Sequence, residues 1–323
     1  MARTRCYRDG KLINSDFPLD KVSEHLDKPH TVVWIDLTDP SKDELALLAE
    51  EMDLHVLAVE DALEVRQRPK LDQYRDHLFL SAYQAELAKD SSEITVREIA
   101  AFITKRALIT VHSDKNLDFD PILARWDSTP DLARFGVPFL VHGLLDHLVD
   151  GYFDAVQSLD EQIEDLEGDL FVTTANQADL QKRTFDLRKD LVKLRRVILP
   201  MREVINTFLR RDLELVDDQM APYFQDVYDH VLRATEWTES LRDLVSSILD
   251  ANLAIQGNRL NVITKKVTGW TAIIAVPTAI TGFYGQNVPY PGFGHLSGLY
   301  TSSAIILVGS LILFLVFRRK DWI

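Results

Sequence analysis

The 323-residue sequence predicts an α+β membrane protein: an N-terminal α/β cytosolic domain, a long helical stalk and two C-terminal transmembrane helices per protomer. Three observations predict it. Two charge-free apolar segments lie near the carboxyl end, a long apolar repeat at spacings of three and four precedes them, and the first third alternates β-branched or aromatic runs with helical patterns.

The first third, residues 1–135, reads as the α/β domain. TVVWIDL, HLFLSAYQAEL, EIAAFITK and ALITVHS carry the strand composition, and Asp39-Pro40-Ser41 is placed to cap KDELALLAEEM. The amino terminus, MARTRCYRDG, lacks the apolar core of a secretory signal, so it is expected in the cytosol. Cys6 is the single cysteine, which excludes an intramolecular disulfide and a cysteine-rich zinc site. No GxGxxG, GxxxxGK[ST], HExxH or serine nucleophile elbow occurs, so the motifs of nucleotide, zincin and serine-hydrolase chemistry are missing.

Residues 136–266 read as the stalk. Helices are expected over about Pro138–Leu170 and Asn176–Arg211, and then over a third segment with no proline between Pro222 and Pro277. In that third segment Phe224, Val227, Val231, Ala234, Trp237, Leu241, Leu244, Ile248, Ala251 and Ile255 form a coiled-coil seam. Such a helix would run about 80 Å from cytosol into membrane. On the first helix His142, Asp146, His147 and Asp150 share a face and are candidate metal ligands, although such clusters are more often helix packing and surface polarity.

Residues 267–323 read as the membrane domain. Val267–Tyr284 and Leu299–Phe317 hold no charged residue, and at about 1.5 Å per residue each reaches close to the ~30 Å of a hydrocarbon core. The alternative, a buried hairpin in a soluble core, must accommodate the abrupt change at Arg318, Arg319 and Lys320. Lys265 and Lys266 precede the first span, Arg318–Lys320 follow the second, and the outer loop, residues 285–298, has neither Lys nor Arg. Positive charge therefore places both termini in the cytosol of a multi-pass protein of the cytoplasmic membrane. Tyr284 and Trp322 suit interfacial anchoring.

Asn261, Thr264, Thr268, Thr271, Ala275, Thr278 and Gly282 fall on one face of the first span. Polar residues in a membrane helix face water or a neighbour, so this stripe is a candidate pore lining; small residues and Thr also serve close helix packing. Pro277 interrupts the span. Two spans cannot enclose water, so a pore needs several copies about an axis.

The formal net charge of −14 is unevenly distributed. Residues 1–261 carry 49 of the 50 acidic and 31 of the 36 basic side chains, whereas the remainder is net positive. A domain this acidic repels nucleic acid and attracts cations.

The tripeptide Gly285-Gln286-Asn287 closing the first span, then Pro289, a second span and RRKDWI, resembles the CorA magnesium transporters, whose hallmark is GMN. EDALEVRQRPK (residues 60–70), VDGYFDAV (149–156), LPMREV (199–204) and PYFQDVYDH (222–230) resemble further family segments in order, so the resemblance covers nearly the whole chain from Trp34. It implies a homopentamer in a lipid bilayer, with Mg²⁺ as transported and regulatory ion and Co²⁺, Ni²⁺ or Zn²⁺ as other candidates. Gly285, Gln286 and Asn287 would form the selectivity filter at the outer mouth and Asn261 a polar ring near the inner end. In the family, acids between cytosolic protomers hold regulatory Mg²⁺; Asp226 matches one such position, and Asp90 is taken as its partner. Gln286 departs from the hallmark Met, which leaves a ZntB-type Zn²⁺ transporter as the alternative, beside a non-conducting membrane-tethered metal sensor. No carboxylate lies within either span to relay protons.

Overall fold

The computed structural model describes residues 2–64, 67–88, 93–170, 177–210, 216 and 218–323. By packing it divides into Met1–Ser246 and Ser247–Ile323.

Seven strands make the sheet of the first unit. They are β1 (Ala2–Arg8), β2 (Lys11–Ser15), β3 (Thr31–Thr38), β4 (Lys70–Gln73), β5 (Leu78–Leu87), β6 (Ile94–Ile103) and β7 (Ala107–His112). Their order is β2-β1-β3-β7-β6-β5-β4, antiparallel except where β3 and β7 run parallel. Asp9 and Gly10, both at positive φ, make the two-residue turn between β1 and β2. A Cβ on Gly10 would stand 2.4 Å from the Pro130 carbonyl oxygen, so only glycine fits there.

Both faces of the sheet are covered, and the alternation of β3 shows how. Val33, Ile35 and Leu37 point to one core with Cys6, Leu45, Leu48 and Ala58, under α1 (Val22–Leu26), α2 (Lys42–Glu51) and α3 (Val56–Leu63). Trp34 points the other way, 5.5 Å edge-on from Trp126 of α4 (Asp120–Ser128) and 5.4 Å from Phe119. Ser41 caps α2 as the sequence suggested. Its Oγ accepts from the Glu44 N–H at 3.1 Å, while the Glu44 carboxylate accepts from the Ser41 N–H at 2.8 Å.

After the four-residue α5 (Pro130–Ala133), three long helices follow: α6 (Val137–Leu170), α7 (Gln177–Leu209) and α8 (Ala221–Tyr284). The Tyr152 hydroxyl of α6 donates to the Tyr83 carbonyl of β5 at 2.7 Å, fixing helix to sheet. Phe224, Val227, Val231, Ala234, Leu241 and Ile248 of the expected seam are buried, each contributing roughly 1–3 kcal/mol according to its size. Trp237 is half-buried and its indole N–H donates to Asp160 of α6 at 3.3 Å, whereas Ile255 is exposed.

α8 stays helical for 64 residues, through Pro277. Proline is tolerated inside a membrane helix when neighbouring groups re-satisfy the backbone. The missing N–H at Pro277 leaves the Ile273 carbonyl without its helical donor; the hydroxyls of Thr278 and Thr281 donate nearby, to the carbonyls of Ile274 and Pro277, at 3.0 and 2.8 Å. The second span, α9 (Leu296–Arg319), begins three residues earlier than its charge-free run because Leu296, Ser297 and Gly298 also take helical geometry. None of the most apolar 18-residue window of α9, and 6% of that of α8, is buried by the protein itself. A soluble hairpin core would be covered, so these surfaces suit a lipid environment.

Candidate functional site

The polar stripe of α8 is exposed from end to end: Asn261, Thr264, Thr268, Thr271, Ala275, Thr278 and Gly282 all face away from the rest of their own unit. α9 packs elsewhere on the helix. Gly269 is buried, and a Cβ on it would stand 3.1 Å from Ile323 Cγ1; a Cβ on Gly309 of α9 would stand 3.2 Å from Val276 Cγ1. The two glycines let the backbones approach closely. At 100° per residue, the stripe lies roughly 120–140° around the helix from the Gly269–Val276 side. Close packing of α8 on α9 therefore does not use the stripe.

The chemistry of the stripe follows from where its protons go. The Thr271 hydroxyl donates to the Val267 carbonyl at 2.8 Å, as Thr278 does to Ile274. With its one proton committed to its own helix, each hydroxyl presents lone pairs outward. Such a surface accepts hydrogen bonds from the waters around a cation.

The first span ends on the GQN tripeptide. The Gly285 N–H donates to the Thr281 carbonyl at 2.8 Å and the Gln286 N–H to Phe283 at 3.3 Å, after which the chain leaves the helix. A Cβ on Gly285 would stand 3.0 Å from the Thr281 oxygen, a tight contact that would require the backbone to give slightly. The Tyr290 hydroxyl donates to the Tyr284 carbonyl at 2.9 Å, satisfying an orphan carbonyl at the helix end. Tyr284 and Tyr290 rings meet at 4.9 Å, and Tyr290 and Phe293 at 5.2 Å. Sequence reasoning missed this aromatic brace; its signal was the spacing of rings in FYGQNVPYPGF. The side chains of Gln286 and Asn287 are exposed and make no hydrogen bond among the described residues.

In the cytosolic unit Asp226 projects from α8 with its side chain 64% exposed, one turn before His230 at 3.8 Å. Asp90 lies outside the described residues. The cluster expected on α6 is divided. Asp146 and Asp150 lie with His230 of α8, their ligand atoms all within 4.8 Å of one another, a spacing that one divalent cation can bridge. Asp146 is also paired to Arg125. Burial and the Asp146 charge push the Asp150 carboxyl above the usual carboxylate range. His142 instead enters the core, edge-on to Tyr223 and Phe224 at 5.7 and 5.8 Å, and burial holds its ring below the ordinary histidine value. His147 is lowered for the same reason. Only the 222–230 segment hinted at His230, which sits 80 residues from Asp150 in sequence.

A family model described as CorA-like Mg²⁺ transporter protein matches residues 29–319. The cobalt/magnesium transport protein CorA of Thermotoga maritima is 30% identical over 296 residues, covering 91% of this chain and 84% of that protein. The cobalt/magnesium transport protein CorA of Methanocaldococcus jannaschii is 26% identical, covering 98% of both. The complete structure of a CorA magnesium transporter from Methanocaldococcus jannaschii superposes with a TM-score of 0.79 at 23% identity, covering 100% of this chain and 99% of that one, which shows the fold.

Proposed function

The chain belongs to the CorA-like Mg²⁺ transporter family, and from that premise we propose that it carries Mg²⁺, with Co²⁺ or Ni²⁺ as further cargo, through a pore lined by α8 of several copies. The observation that carries the reading is the exposed stripe of oxygen acceptors, turned away from the α9-packed side and ending at Gly285-Gln286-Asn287. Mg²⁺ surrenders its waters reluctantly, so a filter that recognises the hydrated ion needs acceptors for water protons and no strongly coordinating anion. Asn287 offers an amide oxygen at the mouth, Thr278, Thr271, Thr268 and Thr264 offer hydroxyl oxygens along the wall, and Asn261 offers an amide oxygen at the inner end.

The oligomer is a homopentamer in this reading. Leu253, Leu260, Val262, Ile263 and Trp270 are exposed on α8 and gain cover from neighbouring copies or lipid. The cytoplasmic membrane, with both termini in the cytosol, follows from the Lys and Arg distribution at the two spans. Asp226 is the regulatory carboxylate in this reading, with His230 one turn along α8 and, grouped with His230, Asp146 and Asp150 of α6 as further ligands. Metal bound there in the closed packing and released in the open one shifts the equilibrium by its differential affinity.

The names of the matching relatives, cobalt/magnesium transport proteins, favour Mg²⁺ and Co²⁺ over zinc, while Gln286 at the centre of the tripeptide keeps zinc in the test. Ion flux into liposomes holding the purified protein, with Mg²⁺, Co²⁺, Ni²⁺ or Zn²⁺ and with or without a pH gradient, decides it. Gradient-independent Mg²⁺ entry is expected. Proton-driven Zn²⁺ entry would support the ZntB-type alternative, and no flux with metal-dependent assembly would support a non-conducting sensor.

A further inference from the structure

A cleft of about 910 Å³ opens in the cytosolic unit between the sheet and α7, within the ~300–1,000 Å³ span of small-molecule sites. Its walls come from the segment before β4, from β5 and β6, from the end of β7, and from residues 193–200 of α7. None of these residues belongs to the pore stripe or the Asp146–His230 group.

Its charge is opposite to that of the domain around it. Arg68, Arg97, Lys193, Arg195 and Arg196 line the cleft against two carboxylates, Glu98 and Asp114, in a region where 49 acids outnumber 31 bases. Three of the five cations are occupied. Arg97 is held between Glu86 and Asp114, its Nε 2.6 Å from the latter. Lys193 donates to the Ile94 carbonyl at 2.6 Å and to Asp190 at 3.2 Å, and Arg195 reaches Glu239 at 3.4 Å. Arg68 and Arg196 are exposed and have no carboxylate partner among the described residues. Guanidinium groups without a carboxylate partner in a cleft are open to a charge-assisted bond from an entering anion.

Beside Gln67, Tyr83 and Ser113 the remaining lining has an apolar part: Pro69, Val96, Leu199 and Pro200 offer a surface for a flat organic group. Guanidinium forks match phosphate oxygens in pairs, and the volume exceeds what inorganic phosphate fills. From these features we propose that the cleft binds a phosphorylated small molecule of nucleotide size, with Arg68 and Arg196 on its phosphates and the apolar wall under its organic part.

The test uses the full-length protein in detergent, in metal-free buffer so that anion binding is read apart from any metal effect. Equilibrium dialysis would be run with ATP, AMP and inorganic phosphate, on wild type and on the Arg68→Ala/Arg196→Ala variant. Saturable nucleotide binding is expected, weakened about tenfold or more in the variant with an unchanged thermal midpoint, since two charge-assisted contacts are lost together. Several outcomes would overturn the proposal: no saturable binding, inorganic phosphate binding as tightly as nucleotide, equal affinity in the variant, or saturation by an oligoglutamate peptide alone.

Discussion

Asn287→Ala tests the mouth of the proposed pore most directly, because the protomer itself has little to lose from it. The side chain is exposed and makes no hydrogen bond among the described residues, so its removal should cost the fold no more than ~0.5 kcal/mol. The cost to transport is different, since symmetry repeats the change in each copy. A neutral hydrogen bond contributes a net ~0.5–1.5 kcal/mol, and in the proposed pentamer five amides contacting the waters of one ion would sum to roughly 2.5–7.5 kcal/mol. Even the lower bound corresponds to about a seventyfold loss of flux. Mg²⁺ entry into liposomes measures the loss, and size-exclusion chromatography with a thermal melt measures assembly and stability. Entry within about threefold of wild type, at equal reconstitution, would refute the amide ring and with it the use of Asn287 as the filter.

Asp226→Ala should raise by about tenfold the internal Mg²⁺ needed for half-inhibition of flux, as one charged ligand is lost from the regulatory group; an unchanged dose curve removes Asp226 from the sensor. Gly143→Ala should destabilise the cytosolic unit by roughly 1–3 kcal/mol, because its Cβ would stand 2.4 Å from Nε1 of the fully buried Trp126; a melt within one degree of wild type contradicts the tight contact. The buried His142 ring is held neutral, so its contribution is present above about pH 6.5 and is lost as pH falls through its lowered folded-state value. Acidification should therefore lower the thermal midpoint of wild type more steeply than that of His142→Gln, and parallel pH profiles would show that His142 carries no such share.

The spans were legible because the bilayer imposes a length and an absence of charge that a one-dimensional reading can count. Tyr284 ends α8 where the apolar run ended. The stripe was legible for the same reason, since helical spacing needs no partner to be seen. Pro277 was expected to interrupt its helix, yet α8 continues through it to Tyr284; one missing N–H leaves the turns before and after it bonded, which the sequence pattern alone does not show. The division of the His142–Asp150 face was not legible. Whether His142 enters the core or meets a metal depends on Tyr223 and Phe224, and His230 reaches Asp150 only because α6 and α8 pack side by side. The parallel pairing of β3 with β7 joins segments about 75 residues apart and carries no local signature.

In the proposed pore, the threonine hydroxyls that bond back to their own helix bear on how ions would be distinguished by sign. Channels that attract cations with rings of carboxylates rely on formal charge, and such fields weaken as the Debye length shrinks toward ~3 Å at molar salt. Thr271 and Thr278 act at hydrogen-bond range through oriented dipoles, with their donors already spent. An anion moving along that wall meets lone pairs and no proton to accept. Discrimination of this kind is screened less by salt than that of a carboxylate ring, so the proposed pore should prefer cations in concentrated brine as well as in dilute buffer.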